Sequence, residues 1–189
     1  MLGLAAQWLG VTQTQANSVA PILISEEQGR HKSTFCRMLM PPQLARYYSD
    51  NLKLTAQGNP ERLLAEMGLL NMDEFDKFGA QKMPLLKNLM QMSSLNICKA
   101  YQKNFRSLPR IASFIGTSNR TDLLCDPTGS RRFICIEAEH DIDCTGIEHS
   151  QIYAQLKEEL LAGARHWFNK EEEHALQYHN MAYYHVNPI

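Results

Sequence analysis

The sequence lacks most of the features that would set it apart from an ordinary soluble domain. No apolar run reaches the ~18 residues that a membrane-spanning helix needs. The opening segment, Met1 to Leu9, is weakly apolar. It has no basic stretch before it and no small-residue cleavage site after it, so it reads as a helix rather than a leader. The five cysteines, Cys36, Cys98, Cys125, Cys135 and Cys144, are odd in number and include no Cys-x-x-Cys pair. That argues against a disulfide framework and predicts reduced thiols in a cytoplasmic protein, with Cys98 and Cys135 in the core. Excess charge of either sign is also missing, since the net charge is -1. Any contact with nucleic acid must then come from a local cluster of Lys and Arg. Repeats and low-complexity linkers are absent too.

What remains is a chain of 189 residues, 44% hydrophobic and 21% charged. This suits one domain, because domains commonly hold ~100–200 residues, and it is long enough to bury a core without staples. Short apolar runs alternate with helical patterns. A helix over residues 2–9 precedes the run Ala20-Pro-Ile-Leu-Ile-Ser25, which suits a buried strand. A polar loop follows, then a helix from Lys32 to Met40 that Pro41-Pro42 stops. Residues 47–51 read as a short strand. Residues 60–67 read as a helix with Pro60 in its first turn, and Gly68 ends it. Leu69 to Met72 is the second apolar run. From Met83 to Ile97 apolar residues recur at helical spacing, with the methionines as core filling. Residues 110–116 and 132–137 are the third and fourth apolar runs. From His149 to Phe168 the positions Ile152, Leu156, Leu160, Ala164 and Trp167 mark an amphipathic helix. The alternation predicts an α/β fold with a mostly parallel central sheet sandwiched by helices, its core at about residues 20–140 and a helical segment at about 148–185. The chain starts and stops abruptly around the motifs, which reads as a single domain cut from a longer protein.

The loop after the first strand, Glu26-Glu-Gln-Gly-Arg-His-Lys-Ser-Thr34, carries the first chemical signal. A loop between strand and helix can hold phosphates with its backbone N–H groups. A lysine at its end reaches the β and γ phosphates, and the next hydroxyl joins the Mg²⁺ shell. Lys32 and Ser33 stand in those places, with Thr34 after them and Gln28, Gly29, Arg30 and His31 forming the cradle. The framing glycines are missing: Glu26 stands at the first and His31 at the second. The second signal is Asp73-Glu74, paired acids at the end of an apolar run. Asp73 suits the metal and Glu74 the attacking water. The third is Asn119, a polar amide at the end of another run, in place to sense the γ-phosphate. The fourth is Arg131-Arg132 after a turn, whose guanidinium donors suit the phosphates of a neighbouring subunit. Lys99, Tyr101, Lys103 and Arg106 interleave charge with aromatic rings and suit single-stranded nucleic acid. His166, His174, His179 and His185 crowd the C-terminal part but match no zinc spacing, so they read as surface or packing residues.

Taken together, Gln28-Gly29, Lys32-Ser-Thr-Phe35, Asp73-Glu-Phe-Asp76, Gly116-Thr-Ser-Asn119 and Asp126-Pro-Thr-Gly-Ser-Arg-Arg-Phe133 resemble the virulence-associated protein E family. This family belongs with the superfamily 3 helicase-like, AAA+-related P-loop ATPases of mobile elements and phages. The resemblance spans residues 20–140. It implies a sheet with the P-loop strand in its middle, ATP and Mg²⁺ as cofactors, and a homo-oligomeric ring with an arginine finger supplied in trans. It also implies a hairpin or loop near residues 99–106 that faces a central channel, a role in DNA replication, and a primase domain elsewhere in the full protein. Two functional readings stay open. One is an ATP-hydrolysing motor domain acting on single-stranded or forked DNA. The other is a degenerate P-loop module that binds DNA or protein without turnover, which Glu26 and His31 favour.

Overall fold

The structure is a computed structural model that describes residues 1–11, 15–98, 105–126 and 131–185. Its centre is a parallel sheet built from β1 (Ala20–Ile24), β2 (Tyr48–Ser49), β3 (Leu69–Met72), β6 (Ser113–Ser118) and β7 (Phe133–Glu137). The strand order is β2-β3-β6-β1-β7, with every pair parallel. The strand before the lysine loop is therefore interior but off centre, one strand from the β7 edge. β6 lies between β1 and β3, so the strand of Asn119 separates the lysine strand from the acidic one.

Helices cover both faces, as the near-continuous apolar strands require. All residues of β3 and β6 are buried. Side chains alternate across the sheet. Ile22, Ile24, Leu70, Met72 and Phe114 face one core. That core includes Leu64 of α3 (Pro60–Glu66) and Leu86, Leu89 and Met90 of α4 (Met83–Gln91). Leu23, Leu69 and Ile115 face the other, with Leu4 of α1 (Leu2–Leu9) and Cys36 of α2 (Lys32–Met38). α5 (His149–Leu161) backs this second layer. Its Tyr153 stacks on Trp8 at 5.3 Å and donates its hydroxyl to the Leu39 carbonyl. α6 (Lys170–Asn180) packs on β7, and the Asn180 amide donates to the Phe133 carbonyl at 2.7 Å.

Two helices are shorter than their apolar spacing predicts. The pattern from Met83 to Ile97 is helical only to Gln91. Met92 turns extended, and Ser94–Cys98 is β4, paired antiparallel with β5 (Phe105–Pro109). The cause is Arg110, only 1% exposed. Its guanidinium donates to the carbonyls of Leu89, Met90 and Met92, which satisfies the open end of α4. It also donates to Ala112 and Asn17 carbonyls. The second long pattern, His149 to Phe168, ends at Leu161. Gly163, at φ 86°, takes the left-handed turn that closes a helix. α6 is a separate helix, started by a capping box between Asn169 and Glu172. Trp167 consequently belongs to the connection, where His166 meets it edge-on at 4.8 Å.

Among the described residues no helix is long and apolar enough to cross a membrane. Cys36 and Cys135 are buried and free, whereas Cys125 is exposed. The Cys98 side chain lies outside the described residues. His179 meets the Cys135 carbonyl at 2.9 Å, and His185 pairs with Asp122 at 2.9 Å.

Candidate nucleotide-binding site

The C-terminal ends of β1, β6 and β3 bring the chemical signals to one edge of the sheet. Parallel strands all end on the same side, so residues far apart in the chain emerge as neighbours there. Crevices at this end are where open α/β sheets bind ligands.

The lysine loop leaves β1 at Ser25 and enters α2 at Lys32. Two residues in it have positive φ, Gly29 at 84° and His31 at 60°. His31 thus adopts the left-handed backbone that a glycine would take freely, at a cost of roughly 1 kcal/mol. Its side chain is exposed, as are Glu26, Gln28, Gly29 and Thr34. Lys32 is buried, at 7% exposure. Its ammonium donates to the carbonyls of Ser25 at 3.0 Å and Glu27 at 3.4 Å. Among the described residues no carboxylate lies within ion-pair distance of it. Burial lowers its pKa first and the Arg30 charge second, while Asp73 and Asp76 act in the opposite direction. A cation held only by neutral carbonyls is electrostatically unsatisfied and suited to an anion. Arg30 turns away, donating to the Glu139 carbonyl and pairing with Glu27. Glu26 turns outward toward the Thr121 hydroxyl, at 3.4 Å.

Ser33, the first hydroxyl after the lysine, donates to Asp73 Oδ1 at 2.8 Å. Thr117 of β6 donates to the same oxygen at 2.7 Å and accepts from the Glu74 N–H at 3.2 Å. A serine hydroxyl beside a carboxylate is a hard-oxygen pair of the kind that Mg²⁺ takes, and together with Lys32 it fits a metal–triphosphate. Glu74 has φ 53° and opens a short 3-10 turn, Phe75–Lys77. Its carboxylate forms an exposed ion pair with Lys77 at 2.7 Å. Asn119 is half-buried at the end of β6, and its N–H donates to Asp76 at 3.3 Å.

The two arginines part company. Arg131 is exposed and pairs with Glu173 of α6 at 3.1 Å. Arg132 is 8% exposed, and among the described residues its Nε finds no hydrogen-bond partner. Residues 127–130, where the sequence predicts a turn, lie outside the described residues. So do Lys99, Tyr101 and Lys103. Arg106 is exposed on β5, opposite Ile97 of β4.

Thr117 and Asp76 were not singled out from the sequence as site residues. A hydroxyl run beside Asn119 and a second acid three residues after Asp73 were the available signals. Neither type has a fixed role without the register that sets β6 beside β3.

Comparison with known proteins agrees with the architecture. No curated protein matches the sequence. Among solved structures, the apo structure of the NrS-1 C terminal region (305-718) superposes with a TM-score of 0.51 at 21% identity. The match covers 96% of this chain and 40% of that one. The A form apo structure of the same region gives 0.49 at 21% identity, over 96% and 39%. This chain therefore spans about two fifths of the length of the structures it resembles. The description of the matching family model is "Virulence-associated protein E-like domain", and the match runs over residues 11–185. With that match over nearly its whole length, the chain belongs to the virulence-associated protein E-like domain family.

Proposed function

We propose that this domain binds ATP with Mg²⁺ at the ends of β1, β6 and β3 and hydrolyses it in the service of work on DNA. The observation that carries the reading is the meeting of Ser33 and Asp73 at 2.8 Å beside Lys32. In this reading Lys32 exchanges its two loop carbonyls for phosphate oxygens, with the backbone from Gln28 to Thr34 around them. Ser33 and Asp73 would hold the metal, which neutralises phosphate charge when bound. Glu74 accepts the proton of the attacking water once its exposed pair with Lys77 opens, a small cost for a surface ion pair. Asn119 senses the γ-phosphate. Of the two arginines, exposed Arg131 suits a role in trans on a ring neighbour; Arg132 is mostly enclosed by its own chain and suits a structural role.

The DNA part rests on family membership and on Arg106 in the β4–β5 hairpin, with Lys99, Tyr101 and Lys103 close by in sequence. A covalently linked primase domain is part of the same proposal.

The test is a titration of ATP and Mg²⁺ into the chain and into Lys32→Ala, then turnover with and without single-stranded DNA on a sample of measured oligomeric state. The reading requires binding by the parent chain and its loss in Lys32→Ala. Undiminished affinity in that variant would sink it. Binding without turnover in an assembled ring would favour the alternative, a module that no longer hydrolyses. The strained backbone of His31 is the observation on that side.

A further inference from the structure

We propose that Asp76 is a positioning residue for nucleotide sensing: it fixes the end of β6 so that Asn119 distinguishes a triphosphate from a diphosphate. The inference deepens the nucleotide reading above and rests on it.

The geometry is a double clasp between two strand ends. Asp73 and the Glu74 N–H grip Thr117, as described. Three residues on, Asp76 Oδ1 lies 3.0 Å from the Ser118 hydroxyl and accepts from the Asn119 N–H at 3.3 Å. The Ser118 hydroxyl also lies 2.7 Å from the Arg120 carbonyl and accepts from the Arg120 N–H at 3.0 Å. Its single proton is therefore shared between Asp76 and Arg120. Ser118 is fully buried, so its hydroxyl has no water to fall back on, while Asp76 and Asn119 are half-buried.

Asp76 is itself held in place. It sits in the Phe75–Lys77 turn, and Phe75 is 1% exposed, 4.8 Å from the Phe133 ring. The turn is pinned to the core one residue before the carboxylate. A side chain with so little freedom can transmit position to the strand end it grips.

Charge gives the second argument. Asp76 adds negative potential at Lys32, the anion-binding cation. On charge alone it works against phosphate binding, and more against three phosphates than two. What it supplies is an acceptor for the backbone of the sensing residue. That separates the two contributions experimentally, because Asp76→Asn and Asp76→Ala both remove the charge and only the former keeps Oδ1.

The experiment measures ATP and ADP affinities with Mg²⁺, by displacement of a fluorescent ADP, for the parent chain, Asp76→Ala, Asp76→Asn, Asn119→Ala and the Asp76→Ala/Asn119→Ala double variant. The expected result is a fall of about tenfold in the ATP-to-ADP affinity ratio for Asp76→Ala, the equivalent of one lost hydrogen bond. Asn119→Ala should match it, the double variant should fall no further, and Asp76→Asn should stay within about twofold of the parent, as an acceptor-only role requires. An unchanged ratio in Asp76→Ala, equal falls in Asp76→Ala and Asp76→Asn, or an unchanged ratio in Asn119→Ala each overturns the proposal. Thermal unfolding checks every variant. If Asp76→Ala does not fold, Ser118→Ala takes its place: a fall of about threefold is expected for one weakened contact, and no fall overturns it. A parent chain that binds neither nucleotide overturns the nucleotide reading and this inference with it. A parent that binds both while Asp76→Ala is unchanged overturns this inference alone.

Discussion

Ser33 and Asp73 share a hydrogen bond of 2.8 Å although forty positions separate them in the chain. Ser33 lies in the first turn of the helix after β1, and Asp73 follows β3. β6 lies between those strands, and its Thr117 bonds the same carboxylate oxygen. The strand order, rather than any local sequence preference, brings the pair together.

Removing either partner should therefore weaken magnesium-dependent binding while leaving the fold in place. Ser33→Ala is expected to reduce ATP affinity about tenfold in Mg²⁺, ~1.4 kcal/mol, and to change little in EDTA. Calorimetric titration in the two buffers checks this. An equal loss with and without metal would place Ser33 outside the metal shell.

The buried ammonium makes a pH prediction. Burial first, and Arg30 second, lower the Lys32 pKa below the ordinary 10.5. Between that lowered value and 10.5 the unfolded chain holds more protons than the folded one. Stability without ligand then rises with pH across this window. ATP affinity should fall across it, because phosphate needs the charged lysine. Urea unfolding and ATP titration at stepped pH give the two trends, and Lys32→Met should flatten the Lys32 part of both.

Glu74→Gln should separate binding from turnover. The exposed pair with Lys77 contributes little to stability. Turnover is expected to drop by about 10²-fold or more, the scale of a lost general base, with ATP affinity within about threefold of the parent. A matching loss of affinity would assign Glu74 to binding instead. Lys77→Ala, which frees the carboxylate, should leave turnover at least as high as in the parent.

Arg110→Ala is the strongest structural prediction. The variant strands the buried carbonyls of Leu89 and Met90 and the half-buried one of Met92. It is expected to cost ~3 kcal/mol or more, because unsatisfied buried acceptors carry their full desolvation penalty. Denaturant unfolding measures the loss. Arg110→Lys should recover only part of it, since one ammonium cannot fan out as the guanidinium does.

Burial pushes the thiols of Cys36 and Cys135 up to about 12. At pH 8 the reactive thiolate is then roughly one part in ten thousand. Brief alkylation of the native chain should label exposed Cys125 and spare both buried residues, while denatured chain should label all three. Mass spectrometry of the peptides reads the result.

The local pattern was enough for most elements. The isoleucine-rich run before the loop is β1, Pro60 opens α3, and four apolar runs end as parallel strands because side chains buried on both faces must be apolar. Spacing failed where it ran on past a tertiary stop. Leu95 and Ile97 continue the periodicity of α4, yet Arg110, nearly twenty residues later, closes that helix. Trp167 continues the periodicity of α5, yet Gly163 turns the chain first. Apolar spacing reports which residues need burial and does not say whether the backbone between them remains helical.

The site divides along the same line. In the candidate site, Asp73 and Asn119 stand out in the sequence as chemical groups at the ends of apolar runs, and Lys32 and Ser33 as the first residues of the helix after one; parallel strands put such ends on one edge. The grip of Asp73 on Thr117 and of Asp76 on Ser118 and Asn119 was not legible, and neither was the enclosure of Arg132 beside an exposed Arg131. Those depend on which strand is neighbour to which and on register, and the residue types alone are compatible with several arrangements. Burial and periodicity are local properties, so the α/β class and the groups available for chemistry can be read from the chain alone. Which groups touch follows from the strand order, because a hydrogen bond between residues forty positions apart exists only once β6 has been laid between β1 and β3.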